Sequence, residues 1–221
     1  MRNTLIKGLL PFLISCLVIL PLTGWAEEVR LTTRSVSGEL PVQSWKALRD
    51  KRVVKQDLDY SCGAASIATL LSEYYRRPTT ELEVLKLLAK GGNRASFADM
   101  QRILPELGFK GIGLATSWEQ LVSLKLPVIV YVRQRKEDHF TVLRGISDTH
   151  VSLADPSLGN RILTRQQFKE IWETRDQPGL EGKMLAILPN NADTQVTDKQ
   201  FFAIPQFPNL PLELLVLRKL P

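Results

Sequence analysis

Cysteine and histidine are scarce in this chain: Cys16, Cys62, His139 and His150 are the full set in 221 residues. That scarcity excludes a disulfide-stapled scaffold, and with Cys16 in an expected leader the mature chain has one cysteine and two histidines, short of the roughly four thiolate or imidazole ligands of a structural zinc site. Long clean apolar runs are also missing. The longest stretch, residues 9–22, is interrupted by Pro11, Ser15 and Pro21 and falls short of the roughly 18 uninterrupted apolar residues a membrane span needs. Charge of one sign is not concentrated anywhere, and a dispersed formal net charge of +6 leaves no electrostatic footprint for nucleic acid. No internal repeat recurs at a fixed period, and no Gly-x-x-x-x-Gly-Lys-Ser/Thr phosphate loop is present.

What is present begins with an address. Arg2 and Lys7 precede the interrupted apolar stretch, and Gly24-Trp25-Ala26 follows it before Glu27. A basic segment, a short apolar segment and a small-x-small site make a secretory signal peptide over residues 1–26. The mature chain would then start near Glu27, carry a formal charge of +4 and reside in a bacterial periplasm. Leu13-Ile14-Ser15-Cys16 resembles a lipobox, but residues 17–22 stay apolar where a lipoprotein has a polar tether. If Cys16 leaves with the leader, Cys62 is the one mature cysteine, and a lone thiol in an oxidising compartment is a liability unless it has a task.

The rest reads as an extension over residues 27–52, one domain over 53–189, and a proline-rich apolar tail over 190–221, either a strap over the core or an interaction segment. Residues 29–36 alternate like a strand. Ile67, Leu70, Leu71, Tyr74 and Tyr75 recur with helical spacing from Cys62 until Pro78. Four capping boxes announce helices: Thr80 with Glu83, Ser96 with Asp99, Ser117 with Gln120, and Thr164 with Gln167. After Pro127 the period changes. Residues 128–133, 139–146 and 151–155 read as strands joined by a charged turn at 134–138 and a tight turn at 147–149, and residues 184–188 close the sheet. Helices followed by an antiparallel sheet make an α+β fold.

Cys62 stands where an extended segment, Gln56-Asp-Leu-Asp-Tyr-Ser, meets the first helix. A helix N-terminus favours the thiolate, the nucleophilic form, while Gly63 and Ala64 keep the surroundings small enough for a substrate carbonyl to approach. A free cysteine is also a common core residue, so the assignment depends on partners. A cysteine nucleophile needs a base within hydrogen-bond reach, and the base needs a group that fixes its tautomer. His139 opens a strand after a polar loop, and Asp155 ends the strand that returns through a tight hairpin, which brings the two together. Gln56, six positions before Cys62, is placed to donate its side-chain amide to an oxyanion beside the Cys62 backbone N–H.

Gln56, Cys62-Gly63, His139-Phe140 and Asp155-Pro156, in that order and at those separations, resemble cysteine peptidase family 39, papain-like peptidases best known for trimming double-glycine leaders from exported precursors. The resemblance spans about residues 53–189. It implies a papain-like fold with N-terminal helices packed on the sheet, Cys62 as nucleophile, His139 as general base and acid, Asp155 as orienting residue, Gln56 as oxyanion donor, no cofactor, and a protein or peptide substrate exported by the same cell. Transporter-linked members carry an acidic residue before the nucleophile where this chain has Ser61. The stand-alone exported layout and the Tyr60-Ser-Cys-Gly-Ala-Ala-Ser66 wording are similar to the peptidase component of bacterial functional-amyloid systems, which brings other secretion components in as partners. Two other readings stay open at this level: a silent substrate-binding module, and a papain-like cell-wall hydrolase or acyl transferase.

Three features compete for attention. His150 falls at the hairpin turn, away from the expected cleft. Gly91-Gly92-Asn93 has the composition of a helix C-cap and loop. Trp118 and Trp172 lie in the capped helices and are expected in the core.

Overall fold

The computed structural model describes residues 27–32, 37–88, 94–134, 137–191 and 196–203. The expected leader, the Gly91-Gly92-Asn93 loop and tail residues 204–221 lie outside them. The chain divides into two compact units, Met1–Gln43 and Ser44–Pro221. In the first, β1 (Glu27–Thr32) and β2 (Ser37–Val42) form an antiparallel pair with Glu27 opposite Val42; β1 takes in residues 29–32 of the strand expected over 29–36, whose residues 33–36 lie outside the described ones.

The second unit opens on α1 (Trp45–Asp50), whose N-cap Ser44 accepts from the Ala47 N–H at 3.1 Å. Next comes α2 (Cys62–Thr69), buried along its whole length, as its small residues Gly63, Ala64, Ala65, Ser66 and Ala68 permit. The apolar run continues past Thr69 as a π-helical turn over Leu70–Tyr74, closed by the Tyr75 N–H on the Leu70 carbonyl at 3.2 Å. The helices α3 (Glu81–Leu88), α4 (Phe97–Ile103, continued by a 3-10 turn Leu104–Leu107), α5 (Trp118–Leu124) and α6 (Arg165–Trp172) start where their capping residues place them. Both halves of the capping box are formed at Ser96, Ser117 and Thr164. At Thr80 the hydroxyl accepts from the Glu83 N–H at 3.2 Å.

One six-stranded antiparallel sheet, in the order β3-β8-β4-β5-β6-β7, carries the unit. Its strands are β3 (Phe109–Thr116), β4 (Val128–Gln134), β5 (Glu137–Ile146), β6 (His150–Asp155), β7 (Gly159–Thr164) and β8 (Gly182–Pro189). The architecture is α+β, as the composition of elements implied, but helices cover both sheet faces. On one, α2, α3 and α4 pack with Ile129, Val142 and Leu185; on the other, Trp118, Leu121, Phe168 and Trp172 pack with Val128, Val130 and Val132. Trp118 and Trp172 are therefore core residues. The last strand does not close the sheet: β8 lies inside it, between β3 and β4, and the two edges are β3 and β7. Among the described residues no helix is long and apolar enough to cross a membrane.

The first described part of the C-terminal segment is docked on this unit. The Asp198 N–H donates to the Tyr74 carbonyl at 2.6 Å, and its carboxylate accepts from Arg52 Nη2 at 2.7 Å and from Arg76. Phe201 is fully buried, its ring flanked by the guanidinium groups of Arg52 and Arg144 at 5.1 and 4.8 Å from the centroid. Ala203 donates to the Arg144 carbonyl at 2.9 Å, so close to β5 that a Cβ on Gly145 would lie 1.8 Å from the Ala203 oxygen. Truncation of Phe201 to alanine empties a filled aromatic site. We expect it to cost about 3–5 kcal/mol and to lower the thermal midpoint by roughly 10 °C in calorimetry. An unchanged midpoint would show that the segment does not contribute to the fold.

Candidate active site

Three elements converge at one end of the sheet. Cys62 is the first residue of α2, whose N-cap Ser61 makes no capping bond with its side chain. Instead the Ser61 hydroxyl donates to the Leu58 carbonyl at 2.7 Å and accepts from the Leu58 N–H at 3.2 Å, folding residues 58–61 into a tight turn that aims the helix start. His139 lies near the start of β5, opposite Val132 of β4, and Asp155 ends β6. Because α2 packs across β5, the thiol meets the imidazole.

His139 and Asp155 are diagonal neighbours rather than a directly opposed pair. β5 begins at Glu137, two residues earlier than expected, and a bulge between Leu143 and Gly145 sets Val142 against Ala154. Asp155 therefore falls opposite Thr141, one step of the two-residue side-chain period away from His139 on the same face. The separation is well within reach: His139 Nε2 is 3.1 Å from Asp155 Oδ1. Since Nε2 is engaged there, Nδ1 is the nitrogen left to face the Cys62 thiol, whose proximity shifts the titration of both groups.

Electrostatics then separate this cysteine from a core cysteine, although its 2 % exposure is what a core residue would show. Burial pushes the Cys62 thiol up, but the hydrogen bond and charge of His139, a backbone bond at Phe140 and the charge of Arg94 outweigh it and hold the thiol below its ordinary value. Burial opposes the charged form of His139, yet bonds and charges from Asp155 and Cys62 raise it to about 9. Asp155, fully buried, would be pushed up by burial; the His139 bond and charge and the N–H groups of Leu158 and Ser157, each 2.9 Å from Oδ1, keep it low instead. The arrangement can hold a thiolate beside an imidazolium beside a carboxylate, the charge pattern of acyl transfer by a cysteine nucleophile.

Gln56 is brought to the same place by its backbone. Its N–H donates to the Pro156 carbonyl at 3.1 Å, the neighbouring Lys55 ammonium to Ser157 O at 2.7 Å, and the Asp57 N–H to the Glu81 carboxylate at 3.2 Å. One side-chain N–H of Gln56 rests on the Leu58 carbonyl at 2.9 Å, while its buried Oε1 has no hydrogen-bond partner. An amide has a second N–H, which remains to donate into the cleft. That cleft has a volume of about 440 Å³ and is lined by Gln56, Asp59, Arg94, Gln134, His139 and Leu158 among others.

All four expected site residues thus come together. Gly63 has another task than the one its size suggested: a Cβ there would lie 2.3 Å from Met100 Cε and 3.6 Å from the Phe140 ring, so its smallness serves the packing of α2 on α4 and β5. His150 opens β6, at the opposite end of that strand from Asp155, with Nδ1 3.0 Å from Thr149 Oγ1. Three neighbours went unread in the sequence. Gln134, taken for part of a turn, is the last residue of β4 and donates to Asp155 Oδ2 at 3.2 Å. Arg161 of β7 stands 3.7 Å from the same oxygen. Arg94 donates to the Asp138 carbonyl at 2.6 Å and pairs with Glu137 at 3.0 Å. The Asp155-Pro-Ser-Leu158 turn had a local signal, an aspartate able to accept from the N–H groups two and three residues on. Gln134 and Arg161 had none. Among the described residues no group of three or more His, Cys, Asp or Glu side chains could hold a metal ion.

The chain is similar to known peptidases. The family described as "Peptidase C39 family" matches residues 50–175. The chain is 31% identical over 169 residues, 71% of its length and 74% of the relative's, to the "Probable functional amyloid protease FapD" of Pseudomonas fluorescens, and 30% identical over 170 residues, 72% and 75% of the two lengths, to the protein of that name in Pseudomonas aeruginosa. It also shares its fold with a double glycine motif protease from an AMS/PCAT transporter, solved in complex with the leader peptide. The TM-score is 0.51 at 23% identity, covering 62% of this chain and 90% of that one.

Proposed function

Since this chain belongs to the peptidase C39 family, we propose that it is an exported endopeptidase that matures a protein of its own cell's secretion machinery through Cys62, His139 and Asp155. Membership makes it a cysteine-type peptidase. The observation that carries the residue assignment is the continuous array from the Cys62 thiol through the His139 ring to Asp155, with His139 Nε2 3.1 Å from a buried, low-lying carboxylate.

In this reading the Cys62 thiolate attacks the scissile carbonyl carbon, and the carbonyl electrons move onto oxygen. The second N–H of Gln56 and the Cys62 backbone N–H stabilise that oxyanion. His139, charged at neutral pH, passes its proton to the leaving amine, which departs as the new N-terminus and leaves a thioester on Cys62. The ring, now neutral, takes a proton from water as the water attacks the thioester, and the second collapse expels the Cys62 thiolate beside the recharged imidazolium and frees the new C-terminus. Asp155 stays ionised throughout and holds the proton-bearing Nε2 edge of the ring.

The substrate class follows from the relatives rather than from the cleft. The functional-amyloid proteases named above support a component of such a secretion system as substrate, and a leader peptide held by a similarly folded peptidase supports an extended peptide in the cleft. The signal-peptide reading of residues 1–26 supports the periplasm as the place of cleavage. Co-expression with the proteins exported from the same gene neighbourhood, followed by N-terminal sequencing of any shortened product, tests this. Cleavage of one of them supports it, and digestion of purified cell wall with all of them left intact would replace it with a hydrolase of another substrate. Gln56→Ala should lower kcat by about 10²–10³-fold with little change in KM, the order of one oxyanion donor. A loss confined to KM would remove Gln56 from that role.

A further inference from the structure

We propose that Gln134 and Arg161 are positioning residues for the Cys62–His139–Asp155 array, acting by fixing the orientation of the Asp155 carboxylate; this rests on the triad reading above. The two oxygens of Asp155 have separate duties. Oδ1 takes His139 Nε2 at 3.1 Å and the N–H groups of Ser157 and Leu158 at 2.9 Å each. Oδ2 takes Gln134 Nε2 at 3.2 Å, with the Arg161 guanidinium 3.7 Å away. Without the Oδ2 partners the carboxylate would be tethered along one oxygen and free to rotate, and the His139 ring would lose the plane in which it faces the thiol.

Arg161 sets the polarity of the intermediate amide. A glutamine side chain can present either its NH2 or its oxygen to a neighbour, and only NH2 is acceptable to a carboxylate. Arg161 Nη1 donates to Gln134 Oε1 at 3.1 Å, so turning the amide over would set oxygen against Asp155 and NH2 against the guanidinium, losing both bonds. The relay runs from an edge strand inward: Arg161 on β7, opposite Leu153, then Gln134 at the end of β4, then Asp155 at the end of β6. Gln134 lines the cleft and Arg161 is partly exposed, so replacing either opens no hole in the core. Neither residue touches Cys62, so their effect on it must pass through Asp155 and His139.

Iodoacetamide serves as the probe, because its rate of alkylation at Cys62 reports the thiolate and needs no peptide substrate. The rate is followed from pH 5 to pH 10 on the full chain, with the Cys62 peptide identified by mass spectrometry so that Cys16 does not interfere. Gln134→Leu should move the acid limb to higher pH and slow alkylation at pH 6 by about tenfold, the order of one hydrogen bond to a charged group. Its rate should converge on that of the unaltered protein near pH 10, where any accessible thiol is ionised. Arg161→Lys, which keeps the charge but loses the planar donor, should shift the limb in the same direction by a smaller amount. Unaltered profiles in both variants would overturn the proposal, as would a uniform slowing at every pH, which reports access rather than ionisation. If the unaltered protein itself shows only an ordinary thiol limb, the triad reading fails and takes this proposal with it; a low limb there together with unaltered variants sinks the positioning role alone.

Discussion

Cys62→Ala should abolish hydrolysis, lowering kcat by roughly 10⁴-fold or more, while leaving thermal stability within about 1 kcal/mol of the parent. The chemical half of that expectation follows because Cys62 is the nucleophile set against the His139–Asp155 pair, while Gln56, Arg94, Gln134 and His139 at the cleft offer donors or a base. The structural half follows from size. Removing one sulfur from the end of a helix that already holds Gly63, Ala64 and Ala65 leaves a small gap, and it relieves the burial cost of a charged thiolate. Full-length substrate should still bind this variant, so the loss appears in kcat rather than in affinity. A Cys62→Ala protein that still cuts would transfer the chemistry elsewhere, and one that fails to fold would make Cys62 a core residue after all.

His139→Ala has the second largest expected effect, about 10³–10⁴-fold in kcat, because it removes the base and the leaving-group acid and also the cation that holds the thiol low. The sign of the pH dependence can be worked out from the two groups. Cys62 is held below its ordinary value and His139 is raised to about 9, so the thiolate–imidazolium pair exists between them. Activity in the unaltered protein should rise as the thiol loses its proton on the acid side and fall as His139 loses its proton near pH 9. In His139→Ala the residual rate should lack the alkaline fall and keep rising with pH through the range of an ordinary thiol, since burial alone pushes Cys62 up. The two apparent values belong to the pair and not to either residue alone. A residual profile with the alkaline fall intact would assign that limb to another group.

What the sequence made legible was whatever is encoded locally. Ser96, Ser117 and Thr164 cap their helices with both halves of the box formed, because an N-cap and its partner are three residues apart and need nothing from the rest of the chain. The central strand residues Val128, Ile129, Val130 and Val132 are fully buried, and their β-branched run showed it. The edges were harder to read. β3 carries Gly111 and Gly113 and buries only its end residues, and β7 mixes Asn160 and Arg161 with Ile162 and Leu163, so neither has the two-faced burial that marks a strand. The placement of β8 between β3 and β4 is a matter of topology that no local pattern carries.

The site divides along the same line. Cys62 before a helix, and a histidine and an aspartate across one hairpin, are short-range relations, and the hairpin argument found the right pair, although the register sets them diagonally and it takes the bulge after Leu143 to put both on one face. Gln134 and Arg161 meet Asp155 across three strands, and each reads alone as a polar strand-end residue. Phe201 was visible only as an apolar residue in a proline-rich tail. Its burial between Arg52 and Arg144 depends on cations 149 and 57 positions away in the chain.

The central claim is that Cys62 carries the acyl group, and the most direct measurement is to trap it. A short peptide ester is mixed with the protein, turnover is quenched in acid within the first cycle, and the protein is digested for mass spectrometry. The expected result is an adduct in which the peptide acyl group has replaced the thiol hydrogen of Cys62, absent from Cys62→Ala. Hydrolysis of the ester with no adduct on Cys62, or with an adduct on another residue, would contradict it.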